Sequence, residues 1–454
     1  MRTLACIALL AVMTGTNAQA SELGYIIKLK QRLTMTSLSA LNQLGVGVKN
    51  TIPELNLVVT DTAPEGLFAN PDFVEYVAIN HKIFATAVQP DVYQKEADAL
   101  WGMKAIKAAG AWRLSIGDKA VIAAVSDTGV YQDHADLLPN LWLNRGESGK
   151  DLNGNDRAKN GIDDDGNGFV DDSRGWNFEN NTSSPADDHY HGTHVSGTVG
   201  ARGADNNGVA GVSWLSTIMP LKFIGSSGWG SDEGAIGTIV YAANNGAKVL
   251  NASWGDLFFA QPIYDAIEYA KTKGMLIVAA AGNDGVDTDV KPHYPSAMDN
   301  ENVISVAATS GEKGELAGFS NWGRKTVDIA APGDHIYSSF NVQYSTGICG
   351  NSRQNWYCHL SGTSMAAPHV TGAIALIYSV NPKLNFRQVK EILMTTVTKV
   401  PGLEGKVVSG GVLNVEAAVA KAISLRDGKP FRLPVTFRKP SFFPGLPALP
   451  TFRF

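Results

Sequence analysis

Four short stretches, Ala120 to Val125, Ile218 to Phe223, Val249 to Ala252 and Met275 to Ala280, are dominated by apolar residues instead of alternating them with polar ones. A strand of that composition is buried on both faces, as a parallel strand under helices is. Helical periodicity follows at Asp232 to Asn245 and Pro262 to Lys273. Parallel neighbours need long crossovers, so the alternation predicts a parallel sheet with helices on both faces, from Trp101 to about Leu425. Ligands of such sheets sit beyond the carboxyl ends of the strands. Asp127 falls at the end of the first run and Asn283 beyond the last. His191 opens one expected helix, and Ser364 opens a longer one reaching about Ser379.

Those polar residues lie in short motifs rich in glycine and small side chains. Asp127-Thr128-Gly129 comes first, His191-Gly192-Thr193-His194-Val195-Ser196-Gly197 second, and Ser361-Gly362-Thr363-Ser364-Met365-Ala366-Ala367-Pro368-His369 last. A serine hydroxyl is a poor nucleophile at neutral pH until a base takes its proton, and the base needs an orienting carboxylate. The order Asp, His, Ser is one of three unrelated orders in which that triad is built. With Gly282-Asn283-Asp284-Gly285, Phe319-Ser320-Asn321-Trp322-Gly323, Ala331-Pro332-Gly333 and Gly411-Val412-Leu413-Asn414-Val415, the chain resembles the subtilisin-like serine proteases (subtilases) from about residue 22 to 424.

The resemblance implies a subtilisin-like three-layer sandwich around a central parallel sheet, preceded by a small α+β (ferredoxin-like) propeptide domain. It implies that Ser364 attacks a peptide carbonyl, His191 takes its proton, Asp127 orients His191, and Asn283 with the Ser364 N–H holds the oxyanion. His191 is preferred to His194 because it stands first in the motif. The segment Leu250 to Gly255 is similar to the family's substrate-pairing edge strand, which makes Ser253, Trp254 and Gly255 substrate-binding, with Trp229 on a facing strand. Trp254 is large where relatives have a smaller residue, and packing or rim positions are alternatives for it. Other readings stay on the table: an aspartic protease, which needs a second Asp-Thr-Gly-like motif that does not occur; a zinc site of Asp187, His189, His191 and His194; an ester hydrolase; and a catalytically silent binding scaffold.

Residues 151–188 are dense in aspartate and asparagine. Asp163, Asp165, Asn167, the Phe169 carbonyl and Asp171 fall at positions 1, 3, 5, 7 and 9 of a calcium loop, but Arg174 replaces the bidentate glutamate at position 12. So many carboxylates repel one another unless a cation neutralises them, and acidic inserts of this kind in subtilases imply structural calcium. A solvated acidic loop is the alternative.

The ends of the chain differ from its middle. Arg2, the apolar run Leu4 to Val12 and Ala18-Gln19-Ala20 read as a secretory signal over residues 1–20, with Cys6 removed alongside it. Residues 21–90 read as an inhibitory propeptide, with strands at Tyr25 to Leu29 and Leu55 to Thr60, a helix at Ser37 to Leu44 and a helix-to-strand stretch at Pro71 to Ile79. The catalytic domain is expected over 91–424, with maturation between about 83 and 100 and no single bond singled out. In an exported protein (extracellular or periplasmic), Cys349 and Cys358, nine positions apart, read as a disulfide, two free thiols being the alternative. Net charge is −5, but residues 425–454 hold six Lys/Arg against one Asp, so this tail is +5 and the remainder −10. Its six prolines from Pro430 to Pro450 rule out a helix or central strand. No run is long enough to span a membrane, and no basic, aromatic-laced stripe suggests nucleic acid. A monomer is expected, whose partners are protein or peptide substrates and its own propeptide.

Overall fold

The computed structural model describes residues 23–61, 73–86, 100–203, 208–344, 348–349 and 356–428. The signal stretch, the start of the Pro71–Ile79 element, residues 87–99 and the tail beyond 428 lie outside the described residues. The chain divides into two compact units: residues up to Lys82 with 231–233 and 260–262, and the remainder from Ile83.

In the first unit, β1 (Tyr25–Leu29), α1 (Met35–Gln43), β2 (Asn50–Ile52), β3 (Leu57–Thr60) and β4 (Val74–Ile79) form an antiparallel sheet of order β2-β3-β1-β4. The helix starts where Thr34 and Ser37 cap each other's backbone N–H groups, two residues before the sequence expectation. The expected strand from Leu55 begins at Leu57 because Pro53–Leu55 makes a turn of 3₁₀-helix. Ile27, Leu29, Leu41, Val58 and Val77 fill its core.

Apart from Lys82, 231–233 and 261–262, which belong to the first, the second unit carries β5 (Lys82–Ala85), α2 (Trp101–Ala105), α3 (Ala108–Trp112), β6 (Ile122–Asp127), β7 (Trp176–Asn177), α4 (His191–Gly200), β8 (Thr217–Lys222), β9 (Trp229–Ser231), α5 (Asp232–Asn244), β10 (Val249–Ala252), β11 (Trp254–Gly255), α6 (Gln261–Thr272) and β12 (Leu276–Ala280). There follow β13 (Val303–Ser310), β14 (Glu315–Leu316), β15 (Ile329–Pro332), β16 (Ile336–Ser339), β17 (Tyr357–Leu360), α7 (Thr363–Val380), α8 (Phe386–Thr395), β18 (Thr398–Lys399), β19 (Gly411–Val412) and α9 (Val415–Arg426). Among the described residues, ten strands make one sheet, ordered β18-β19-β15-β13-β12-β10-β6-β8-β7 with β14 beside β13. The pairs from β7 to β19 along this path are parallel, as the apolar runs predict, and only β14 and β18 run against their neighbours.

The sheet's order reverses at β6. The chain leaves it for β8 on one side and returns to β10 on the other, so β6 ends at a crevice of the kind that holds ligands. All ten residues of α4 are buried, as are those of α7 apart from Ser379. Both helices are therefore core elements, α7 through apolar side chains and α4 with polar ones buried among its glycines and valines, and they pack against each other.

Candidate active site

Asp127 is the last residue of β6 and His191 the first of α4, and both side chains are fully buried. His191 Nδ1 donates to Asp127 Oδ1 across 2.7 Å, which fixes the tautomer with a proton on Nδ1 and a lone pair on Nε2. Asp127 Oδ1 also accepts the Thr128 N–H at 2.7 Å, while Thr128 Oγ1 accepts the Gly192 N–H at 2.8 Å. The glycine after His191 has a steric reason. A Cβ there would lie 2.2 Å from the Gly129 carbonyl oxygen and 3.1 Å from Asp127 Cβ, so only glycine lets α4 start this close to the strand end.

Ser364 stands second in α7, behind Gly362, whose φ of 148° suits glycine at that tight entry. Its hydroxyl donates to the carbonyls of Ser253, at 3.0 Å, and of Thr86. His191 Nε2 is buried and carries no hydrogen bond, so in this arrangement the serine faces carbonyls and not the imidazole. The Ser364 carbonyl is free for an unusual reason. Pro368, four residues on, has no N–H to complete the helical bond, and the Ser253 hydroxyl donates to that carbonyl at 2.8 Å instead. Asn251 Nδ2 donates to Ser253 Oγ at 2.8 Å, and Thr371 Oγ1 to Asn251 Oδ1 at 2.9 Å, so a buried chain of polar groups ties β10 to α7.

Asn283 follows β12 by three residues. Its Oδ1 accepts from the N–H and hydroxyl of Thr363, at 2.8 and 3.0 Å, which turns Nδ2 outward. That Nδ2 donates to the Thr86 carbonyl oxygen at 2.7 Å. The Thr86 N–H in turn reaches the Ser253 carbonyl at 3.2 Å, and the Ala85 N–H reaches the Gly228 carbonyl at 3.1 Å. Strand β5 lies between β11 and β9, with Ala85 opposite Trp254 and Phe84 opposite Gly255. The structure thus brings Ser253, Trp254, Gly255 and Trp229 to the two strands flanking this segment. Trp254 contributes its backbone there; its ring is fully buried against Phe223, and its indole N–H donates to Ser126 Oγ at 3.3 Å.

The histidines and aspartate of the zinc alternative are occupied otherwise. His194 Nε2 donates to the carbonyls of Ile336 and Cys358, at 2.9 and 3.1 Å, and burial pulls its pKa down to about 3. His189 stacks on Tyr190 at 4.0 Å, and Asp187 accepts from Thr128, His189 and Thr193, its carboxyl pushed up to about 6 by burial. Cys349 and Cys358 form a disulfide with Cα atoms 5.5 Å apart, two residues before the Leu360-Ser361-Gly362 approach to Ser364.

In the acidic insert, two of the expected calcium ligands, Asp163 and Asp165, both accept the Asn167 N–H, each at 3.1 Å. Asp163 accepts the N–H groups of Gly166, Asn167 and Gly168, at 2.7 to 3.1 Å, and Asp171 accepts that of Gly161. Asn167 Oδ1 takes the Phe169 N–H at 2.8 Å, and the Phe169 ring packs on Trp176 and Tyr241. Of the five, Asp165 joins a different set: carboxylate oxygens of Glu147, Asp165 and Asp172 lie within 4.8 Å of one another. Glu147 is buried, with one oxygen that has no partner, and burial raises the carboxyls of Glu147 and Asp172. Carboxylates gathered in this way, one oxygen unsatisfied, have the donor chemistry of a hard-cation site. Neither Glu147 nor Asp172 lies in the nine-residue pattern read from the sequence.

A parallel α/β sheet that delivers an aspartate, a histidine, a serine and an asparagine to one crevice defines a subtilisin-like architecture. The chain belongs to the subtilase family, whose model matches residues 118–412. It is similar to subtilisin-like protease 2 of Plasmodium falciparum (isolate 3D7), at 33% identity over 361 residues, covering 74% of this chain and 24% of that protein. It thus spans about a quarter of that relative's length. Thermitase of Thermoactinomyces vulgaris is 34% identical over 279 residues, 62% of this chain and 82% of thermitase. The thermophilic serine proteinase of Bacillus sp. (strain AK1) is 31% identical over 355 residues, 78% of this chain and 75% of that protein. Among solved structures, fervidolysin from Fervidobacterium pennivorans, described as a keratinolytic enzyme related to subtilisin, shares the fold with a TM-score of 0.68 and 24% identity, over 90% of this chain and 61% of that one.

Proposed function

We propose that the protein is a secreted serine endopeptidase made as a self-processing zymogen. One observation carries this reading: a peptide group of the chain itself, the Thr86 carbonyl, is held by Asn283 Nδ2 with the Ser364 hydroxyl against it, in the crevice where Asp127 and His191 are paired. In the reaction, the Ser364 hydroxyl turns from its carbonyl partners to His191 Nε2, gives up its proton and attacks the substrate carbonyl carbon. Asp127 holds the imidazole's tautomer and stabilises the imidazolium. Negative charge develops on the carbonyl oxygen, where Asn283 Nδ2 and the Ser364 N–H are the donors, and Thr363 keeps the amide aimed. The imidazolium then protonates the leaving amine, and water hydrolyses the acyl-serine by the same relay.

Flanking strands β9 and β11 recognise extended main chain, which a small ester does not offer. Residues from 21 to about 90 act as the propeptide, and the chain from there to 424 as the catalytic domain. The signal-like residues 1–20 and the disulfide near the nucleophile support export. Calcium, the hard cation this acidic insert suits, would be held by Glu147, Asp165 and Asp172 and would relieve their mutual repulsion. The test is Ser364→Ala, which is expected to abolish peptide hydrolysis and leave the leader attached; residual activity above about one part in a thousand of wild type would contradict the reading.

A further inference from the structure

We infer that the bond this site is built to cut in its own chain is Thr86–Ala87, and that the preceding residues Ile83-Phe84-Ala85-Thr86 state the preference of the cleft. The inference rests on the endopeptidase reading and narrows it to one bond and one side-chain pattern.

The geometry around residue 86 is that of an acyl donor. Its carbonyl oxygen is bonded by Asn283 Nδ2 at 2.7 Å and met by the Ser364 hydroxyl, and its N–H is bonded to the Ser253 carbonyl at 3.2 Å. Ala85 and Phe84 are locked in register opposite Trp254 and Gly255, so a slip by one residue would put each side chain on the other face. Attack at this carbonyl joins Ser364 Oγ to the Thr86 carbon. The Oγ proton passes to His191 and on to the nitrogen of Ala87 as the C–N bond breaks. Water then releases the Thr86 carboxylate, and the leader ends at Thr86.

The side chains differ in how much the cleft touches them. Ile83 is 2% exposed and Phe84 48%, so the fourth position before the cut is gripped and the third is not. Residue 86 itself is half-buried. The segments that hold its N–H and carbonyl carry Gly255 and Gly282, and the His293 ring is packed against both: a Cβ on Gly255 would lie 2.2 Å from His293 Cε1, and one on Gly282 3.0 Å from His293 Cδ2. The ring is buried and its Nδ1 has no hydrogen-bond partner. Thr86 fits with its hydroxyl 3.2 Å from the Ser253 carbonyl and 2.5 Å from Ser364 Oγ. His293 therefore sets a small-residue preference at the position before the cut.

The test uses the full chain, wild type and Ser364→Ala, with intact mass and terminal sequencing of both fragments, so that later trimming of the new N-terminus does not obscure the first cut. A leader ending at Thr86 in the wild type, and an uncut chain in Ser364→Ala, supports the proposal. A Ser364-dependent cut elsewhere overturns it and leaves the endopeptidase reading standing; absence of any Ser364-dependent cleavage fails both. Synthetic peptides spanning 82–89 supply the second readout. Thr86→Leu or Ile83→Asp in the peptide is expected to lower kcat/KM at least about tenfold, while Phe84→Asp stays within about threefold. In the His293→Ala enzyme the Thr86→Leu peptide is expected to be cut faster than the natural one, a reversal of the wild-type order; an unchanged order would overturn the role assigned to His293.

Discussion

Replacing Gly192 by alanine tests whether the placement of α4 sets the reactivity of His191. The added Cβ would lie 2.2 Å from the Gly129 carbonyl oxygen, against a closest tolerated approach of 3.0 Å, so the helix start must retreat by about 0.8 Å, the difference of the two distances. His191 is the adjacent residue and moves with it. The Nδ1–Oδ1 distance of 2.7 Å would then lengthen to as much as about 3.5 Å, beyond a useful hydrogen bond. A misplacement near 1 Å costs on the order of 10²-fold in rate, about 2.7 kcal/mol of barrier. Alanine would otherwise favour the helix by roughly 1 kcal/mol, so a fall in Tm reports the clash and a rise would mean that there is none. The assay is kcat and KM on a peptide substrate together with calorimetry. We expect kcat/KM about 100-fold lower, KM within about threefold of wild type, and a lowered Tm. A folded variant within about threefold of wild-type kcat/KM would refute the reasoning.

Other outcomes follow from the same geometry. Asn283→Ala removes the side-chain donor to the Thr86 carbonyl; kcat is expected to fall by about 10²–10³, the range known for this donor in subtilisin itself, with little change in KM. Chelation of a calcium-loaded sample is expected to lower Tm by roughly 4 °C if the ion is present at about 100 times its Kd, and Glu147→Gln to abolish that sensitivity; a Tm indifferent to chelator would remove the ion site. Burial pulls the pKa of His369 down from 6.5 to about 4. Its neutral form therefore contributes stability that is fully present above pH 6.5 and lost as pH falls towards 4. Across that window the stability of His369→Gln is expected to fall less steeply than that of wild type, by about 1.4 kcal/mol per pH unit, measured by denaturant unfolding.

Much of the fold was legible because its signals are local. Apolar runs marked β6, β8, β10 and β12 within one or two residues, and Asp127, His191, Ser364 and Asn283 sit in motifs whose glycines answer to contacts such as that between Gly192 and Gly129. Thr86 gave no such signal. Ile83-Phe84-Ala85-Thr86 is an ordinary strand sequence, and its place is set by partners more than 140 residues away, at Gly228, Ser253 and Asn283. His293 was equally silent, a lone histidine whose meaning comes from two glycines it packs against. In the acidic insert, position counting along one loop found Asp165 but passed over Glu147 and Asp172, which the folding of the chain brings in from outside that pattern. For Trp254 the sequence leaves substrate-binding, packing and rim positions open, and it is the fold that consumes its indole in the core. Likewise, nothing local told that the Ser364 hydroxyl would rest on carbonyls while His191 Nε2 waits unpartnered.

The most direct measurement is reaction with a fluorophosphonate probe followed by peptide mapping, across pH and in the His191→Ala variant. A buried imidazole relaying the proton of one serine predicts a single adduct on Ser364, and at least a thousandfold slower labelling when His191 is removed. Labelling of another residue, or a rate that His191→Ala leaves unchanged, would contradict the account.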